Sequence, residues 1–402
     1  MMKLGDVSQI IYRAMDVMNA RNVRKFSVPP RTYMGPGSLT CCGEAMVAEG
    51  HHHAFVMVDA LIHNMHIVDG LYRSLEAAGM GYQLFLYEGG EPASDVVEVA
   101  AKALVDADCD SVIAIGGGSV LDAAKVTAML AVNMQLPLEQ LLSPEVTLQK
   151  RLPLVAIPTT SGTGSEATDI AVITNVQTGM KQVLIHDQLI PDLAIIDACL
   201  TLAVPPYITA ITGFDALTHA VETYVGLKGT ALTKGFAYRA ISMIGESLPL
   251  AVGQGQNIEA REALMLASYM AGMAFSNAGL GLSHATAHQI GSKYHIPHGQ
   301  CNAIMLPAVM RFNSLVCKKE YAEIGHALTG RHINGDETIV AVEALISELE
   351  LNQLKPEWQL AEEDIPELSE VAIQDICLTT NPRTTTEAQI AQVYRDAFQQ
   401  YS

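Results

Sequence analysis

The sequence predicts an α/β N-terminal domain, a Rossmann-like parallel sheet covered by helices, followed by an all-helical C-terminal domain. Three observations carry this. Between residues 54 and 197, short apolar runs of strand length alternate with stretches of helical period. Beyond Pro205-Pro206 the pattern turns helical, rich in Ala, Met and Leu, with no convincing strand. A chain of 402 residues is also long enough to bury two cores. The boundary is placed at 205, giving an α/β domain over 1–205 and a helical domain over 206–402.

In chain order, residues 8–22 read as an amphipathic helix with Ile11, Met15 and Met18 on one stripe, part of an N-terminal extension over 1–25. The turn Pro29-Pro30 and the loop Gly35–Ser38 follow. Ala54–Val58 is a buried strand ending at Asp59. A helix near 66–78 leads to the strand Tyr82–Leu86, and a helix near 95–107 leads to Ser111–Ile115. Leu154–Ile157 and Leu193–Asp197 continue the series.

Composition narrows the partners. Charged residues are 17% and hydrophobic residues 49%, a globular rather than a disordered balance. A net charge of −19 disfavours nucleic acid and anionic membranes. No apolar run has the length of a membrane span, and Met1–Ala20 shows no signal-peptide core. The seven cysteines are scattered without a CxxC pair, which fits a reduced, cytoplasmic setting.

Two loops look built for phosphate. Gly116-Gly117-Gly118-Ser119 follows a strand and opens a helix, where glycines admit a phosphate closely and free N–H groups meet it. Pro158–Glu166, reading Pro-Thr-Thr-Ser-Gly-Thr-Gly-Ser-Glu, is a second such loop after a strand. Either alone is also a tight turn that binds nothing; two in one sheet point to a dinucleotide. The first is not the GxGxxG fingerprint. Asp59, at a strand's C-terminal end, is placed to accept from ribose hydroxyls and to repel a 2′-phosphate, favouring NAD over NADP. It reads equally well as a helix N-cap before Ala60.

A metal is suggested by Asp215 and His219, one helical turn apart, together with His284, His288, His295 and His298. A carboxylate with three imidazoles suits Fe(II) or Zn(II). Spacing alone does not choose among the second group, since His284 and His288 share a face. The triplet His51-His52-His53 reads as solvated.

The motifs Gly116–Lys125, Thr159–Glu166, Gly213–His219 and Gly279–Gly299, in this order and spacing, resemble the iron-containing (group III) alcohol dehydrogenase family, which shares the dehydroquinate synthase-like fold. Phe26–Pro30, Gly90-Glu91-Pro92, His295–Gly299, Ile376–Leu378 and Asn381–Arg383 resemble its ethanolamine-utilisation branch. The resemblance implies an NAD-linked interconversion of small primary alcohols and aldehydes. It implies Asp215, His219, His284 and His298 as metal ligands and His288 near the nicotinamide, as proton relay. Asp59, Gly117, Gly118, Ser119, Thr159, Thr160, Thr163, Thr168 and Lys181 match cofactor-contacting positions, and Phe275 and Cys377 match the substrate pocket. It further implies a homodimer. Two positions depart from the family. Glu91 replaces the usual Asn of a Pro-Asn-Pro turn, and Phe214 replaces Met or Ile beneath the metal.

Rival readings remain at this level. A metallohydrolase would use the same ligands but leave both glycine loops without a role. A dehydroquinate-synthase-type lyase would need several basic residues in its pocket, and residues 207–300 hold few: Lys228, Lys234, Arg239, Arg261 and Lys293. The stripe of the N-terminal helix reads first as intramolecular or dimer packing; by resemblance to enzymes of bacterial microcompartments, the alternative is an encapsulation tag binding shell proteins.

Overall fold

The computed structural model describes residues 24–141, 146–177, 179 and 181–399; the helix expected over 8–22 lies outside them. Strands β1 (Arg31–Met34), β2 (His53–Asp59), β3 (Gly81–Tyr87), β4 (Ser111–Gly116), β5 (Leu154–Pro158) and β8 (Leu193–Ile196) form one parallel sheet in the order β1-β8-β5-β4-β2-β3. Successive side chains alternate between faces. Phe55, Met57, Val112 and Ala114 meet helices α4 (Ser94–Asp106) and α5 (Gly118–Leu130) on one side. Val56, Val58, Ile113 and Ile115 meet α1 (Cys42–Ala48) and α3 (Asp69–Ala77) on the other. Covering both faces explains why these strands read as continuous apolar runs.

The order of the strands opens a crevice at one end of the sheet. From β2 the chain moves outward to β3, then returns to place β4 on the opposite side of β2. The connections leaving β2 and β4 therefore diverge, opening a crevice beyond their C-terminal ends. Asp59 and the glycines after Gly116 sit there.

Two features were not expected. Arg31–Met34 is an edge strand, although Pro29-Pro30 and the glycines of 35–37 read as turn and loop; its pairing with β8 is what makes it a strand. Strands β6 (Ile170–Thr174) and β7 (Lys181–Ile185) form a separate antiparallel hairpin; Ile170–Ile173 is itself an apolar run, but nothing local says that it pairs with 181–185 rather than joining the parallel sheet. The helix expected at 66–78 is preceded by a short α2 (Ala60–Asn64).

All regular structure described after 206 is helical: α6 (Pro206–Val225), α7 (Ala231–Gly253), α8 (Ile258–Ala278), α9 (Leu282–Tyr294), α10 (His298–Thr329), α11 (Gly335–Glu348), α12 (Ile365–Ala372) and α13 (Glu387–Gln399). Their starts follow local chemistry. Thr230 and Thr233 form a capping box for α7, Asn257 caps α8, and Asn334 with Glu337 forms a box for α11. Phe214, Leu217, Val221, Ile241, Ile244, Leu248 and Leu264 anchor the shared core. Gly299 sets a critical crossing, because a Cβ there would lie 2.0 Å from the Ile211 carbonyl oxygen. Only glycine lets the first turn of α10 press against α6, and that contact brings His298 toward Asp215. Among the described residues, no single helix is long and apolar enough to cross a membrane.

Candidate active site and metal centre

Helix α6 supplies Asp215 and His219, α9 supplies His284, and the first residue of α10 supplies His298. One donor atom from each lies within 4.8 Å of the other three. Asp215, His219 and His284 are buried, whereas the His298 side chain is 42% exposed, so the cluster opens on that side.

Each donor is held from behind. Glu222 accepts a 2.6 Å hydrogen bond from Nδ1–H of His284, which leaves Nε2 with its lone pair toward the cluster. The same carboxylate accepts from Gly281 N–H (3.0 Å) and Ser283 N–H (2.6 Å), so it also caps α9. His219 is held by stacking between Phe275 (4.5 Å) and His284 (4.6 Å). The amide nitrogen of Asn302 lies 2.7 Å from Asp215 Oδ1, 3.1 Å from His284 Nε2 and 3.4 Å from His298 Nε2. One –NH₂ has two hydrogens for these three acceptors. The surplus of lone pairs in a buried volume is the chemistry of a cation site, and an oxygen-plus-three-imidazole set fits a divalent transition metal.

Electrostatics agree. Burial disfavours charge on Asp215, but the three imidazoles outweigh it and hold the carboxyl well below its usual range. Burial pushes His219 down to about 4, so it stays neutral and able to ligate. His284 goes the other way: burial opposes its charge, but the carboxylates of Asp215 and Glu222 on its two sides outweigh burial and raise it, the same negative surroundings that favour a cation in the cluster.

His288, one turn along α9, stands apart from the four. Its Nδ1–H donates to Asp375 Oδ2 (2.9 Å), and its ring stacks 5.3 Å from that of His298. With Nδ1 committed, Nε2 is the nitrogen free to exchange a proton. His295, exposed and at positive φ (52°), ends α9 and takes no part in the cluster.

The cluster floors a cleft of about 340 Å³ whose walls include Phe275 and Cys377 and which reaches Asp122, Thr163 and Thr168 on the sheet side. There the two loops touch. Thr159 N–H donates to Gly116 O (3.0 Å), and a Cβ on Gly118 would lie 2.6 Å from Thr163 Cγ2. Gly117 is the N-cap of α5, and Gly118 and Ser119 are its first residues, so unpaired N–H groups face the crevice. Thr160 lies beside Gly117.

Several residues matched to the cofactor already have protein partners. Asp59 Oδ1 accepts from Leu61 N–H (2.8 Å) and Ile62 N–H (3.4 Å), a helix cap. The Thr168 hydroxyl and carbonyl both receive the buried Lys125 ammonium (2.9 and 3.0 Å). Lys181 pairs with Glu91 at 2.5 Å, tying the hairpin to the loop after β3. Phe214 is fully buried in the helical core.

Three residues escaped the sequence reading. Glu222 follows His219 by one turn and completes an i, i+4, i+7 stripe with Asp215. Asn302 follows His298 by one turn. Both spacings were readable. Asp375 carries no local signal.

Family models for the iron-containing alcohol dehydrogenase match residues 29–198, and for its C-terminal region residues 209–398. The chain belongs to the iron-containing alcohol dehydrogenase family. It is 47% identical over 393 residues to the probable alcohol dehydrogenase EutG of Salmonella typhimurium, covering 98% of this chain and 99% of the relative. It is 36% identical to the NAD-dependent methanol dehydrogenase of Bacillus methanolicus, covering 92% and 99%. The crystal structure of a 1,3-propanediol oxidoreductase superposes with a TM-score of 0.90 at 33% identity, covering 94% and 100%. As a member of this family the chain is an oxidoreductase, a metal-dependent alcohol dehydrogenase.

Proposed function

We propose that Asp215, His219, His284 and His298 hold Fe(II) and that the two loops hold NAD, so that small primary alcohols such as ethanol and their aldehydes are interconverted between them. The observation that carries this is a single cleft running from the four-donor cluster to Asp122, Thr163 and Thr168, with Thr163 packed against Gly118 of the glycine loop. When bound, the ion supplies Lewis acidity toward the substrate oxygen and the nicotinamide supplies the hydride chemistry. The residues do the rest. Glu222, Asn302 and the Phe275 ring fix the donors. Phe275 and Cys377 give the substrate an apolar wall that limits water. His288, oriented by Asp375, takes up or returns the hydroxyl proton through Nε2. Gly117, Gly118, Ser119, Thr159, Thr160 and Thr163 offer the pyrophosphate backbone amides and hydroxyls. Thr168 and Lys181 border the same side. The free oxygen of Asp59 meets the ribose while the other caps α2.

The relation to EutG supports acetaldehyde as substrate in ethanolamine breakdown, in the cytoplasm or a microcompartment, with a homodimer as working form. Deleting residues 1–22 and following co-localisation with shell proteins tests the tag; unchanged packaging refutes it. The central experiment is anaerobic turnover of metal-stripped protein with acetaldehyde and NADH, before and after Fe(II) or Zn(II). Restoration by Fe(II) supports the assignment. Full turnover in the stripped protein, or none with either ion despite NADH binding, overturns it.

A further inference from the structure

Beside the four-donor cluster is a second set of donors that the reaction above does not use as ligands. One atom each from His288, Asp375 and Cys377 lies within 4.8 Å of the others. We propose that these three form a second metal site, selective for thiophilic divalent ions such as Zn(II) and Cd(II), whose occupation shuts the enzyme off. The inhibitory half rests on the reading of His288 as proton carrier; the binding half does not.

The donor set is one sulfur, one imidazole and one carboxylate, a combination suited to Zn(II) and its softer congeners rather than to Mg(II) or Ca(II). Its geometry is prearranged. Asp375 heads the short turn over 376–380, and its Oδ1 accepts from Cys377 N–H (2.9 Å), fixing an Asp-x-Cys pair. Its Oδ2 accepts from His288 Nδ1–H (2.9 Å) and from Gln289 Nε2–H (3.3 Å), bringing the imidazole to the same carboxylate. Capping explains the first contact and orientation of His288 the second; what they share is one carboxylate, which brings a sulfur and an imidazole within ligand distance of each other.

The site is reachable and separate. All three residues are half-buried, and His288 and Cys377 line the cleft. The His288 ring lies 5.3 Å from that of His298 and 6.1 Å from that of His284, so the second set neighbours the first without sharing a ligand. Binding is an exchange without redox change. The thiol proton leaves to buffer, a sulfur–metal bond forms, and the imidazole proton either stays on Nδ1 or moves to Nε2 according to which nitrogen ligates. In both cases His288 and Asp375 are withdrawn from proton transfer.

The test uses the holoenzyme with its resident metal content measured. Cd(II) is titrated in anaerobically while thiolate-to-metal charge-transfer absorption, metal stoichiometry and turnover are read on the same samples. One further equivalent is expected, with the resident metal retained, a charge-transfer band appearing, and turnover falling about tenfold or more as the band saturates. Cys377→Ser should lose the band, and Asp375→Asn should weaken the extra binding about tenfold or more while keeping the thiol. An unchanged band in Cys377→Ser would overturn the site and put the ion on another thiol, such as the exposed Cys41 or Cys199. One-for-one displacement of the resident metal, with no net gain, would also overturn it. Saturation with turnover intact would overturn the inhibitory half. A holoenzyme inert toward acetaldehyde counts against the proposed function alone, because band and stoichiometry still decide the site.

Discussion

The two ends of the cleft are built by different means. At the helical end the donors are held by other side chains: Glu222 behind His284, Phe275 against His219, and Asn302 among three acceptors. At the sheet end the surface proposed for the cofactor is mostly backbone, made available by glycine clearance and by the open N-terminus of α5. Its side chains are largely spent on the protein itself, Asp59 on a cap and Thr168 on Lys125. A metal must be gripped in fixed coordination, which calls for a supporting ring of hydrogen bonds. A pyrophosphate is an extended anion that backbone dipoles can hold without dedicated charges.

This contrast can be broken first at the donors. His284→Ala should bring metal content to background and abolish turnover, measured together by metal analysis and an NADH assay. His288→Ala should keep its metal yet lower kcat by about 10²–10⁴, the range of a lost proton-transfer group. If His288→Ala lost metal instead, the division between ligand and relay would fail.

Next in size is the supporting ring. Glu222→Gln should weaken metal affinity by about 10–100-fold in competition with a chelator. If Glu222 mattered only as the cap of α9, the melting temperature would fall with affinity unchanged.

The sheet end should respond in the opposite sense. Gly118→Ala pushes Thr163 out of its place, so NADH affinity by calorimetry should drop about tenfold, ~1.4 kcal/mol, with metal content unaltered. Loss of metal in that variant would mean that the two ends are not independent.

The smallest effect separates the two roles of Asp59. Asn is as good an N-cap as Asp, so Asp59→Asn should leave stability within a few tenths of a kcal/mol. Removing the negative charge should nonetheless narrow the preference for NADH over NADPH in binding. An unchanged preference would make Asp59 a cap and nothing more.

Much of this was legible before any coordinates. Buried parallel strands betray themselves as apolar runs, and a turn of helix between Asp215 and His219 is written in the spacing. The hairpin Ile170–Thr174/Lys181–Ile185 was not, since its apolar residues do not alternate with polar ones in the sequence and nothing local says that the two segments pair. Nor was Arg31–Met34, which is a strand only because β8 lies beside it.

By itself the sequence determined the α/β-then-helical order, the two phosphate-type loops and the residue types of the donor set, because these depend on local period, on glycine and on side-chain chemistry. Tertiary structure decided which histidines meet. His284 and His288 share a face of α9, and no local rule tells them apart. Gly299 lets α10 press on α6, Glu222 turns His284 toward Asp215, and Asp375, from a turn nearly ninety positions along the chain, turns His288 away to its own carboxylate. Such contacts join residues far apart in sequence, so only the packed chain could choose between the two rings.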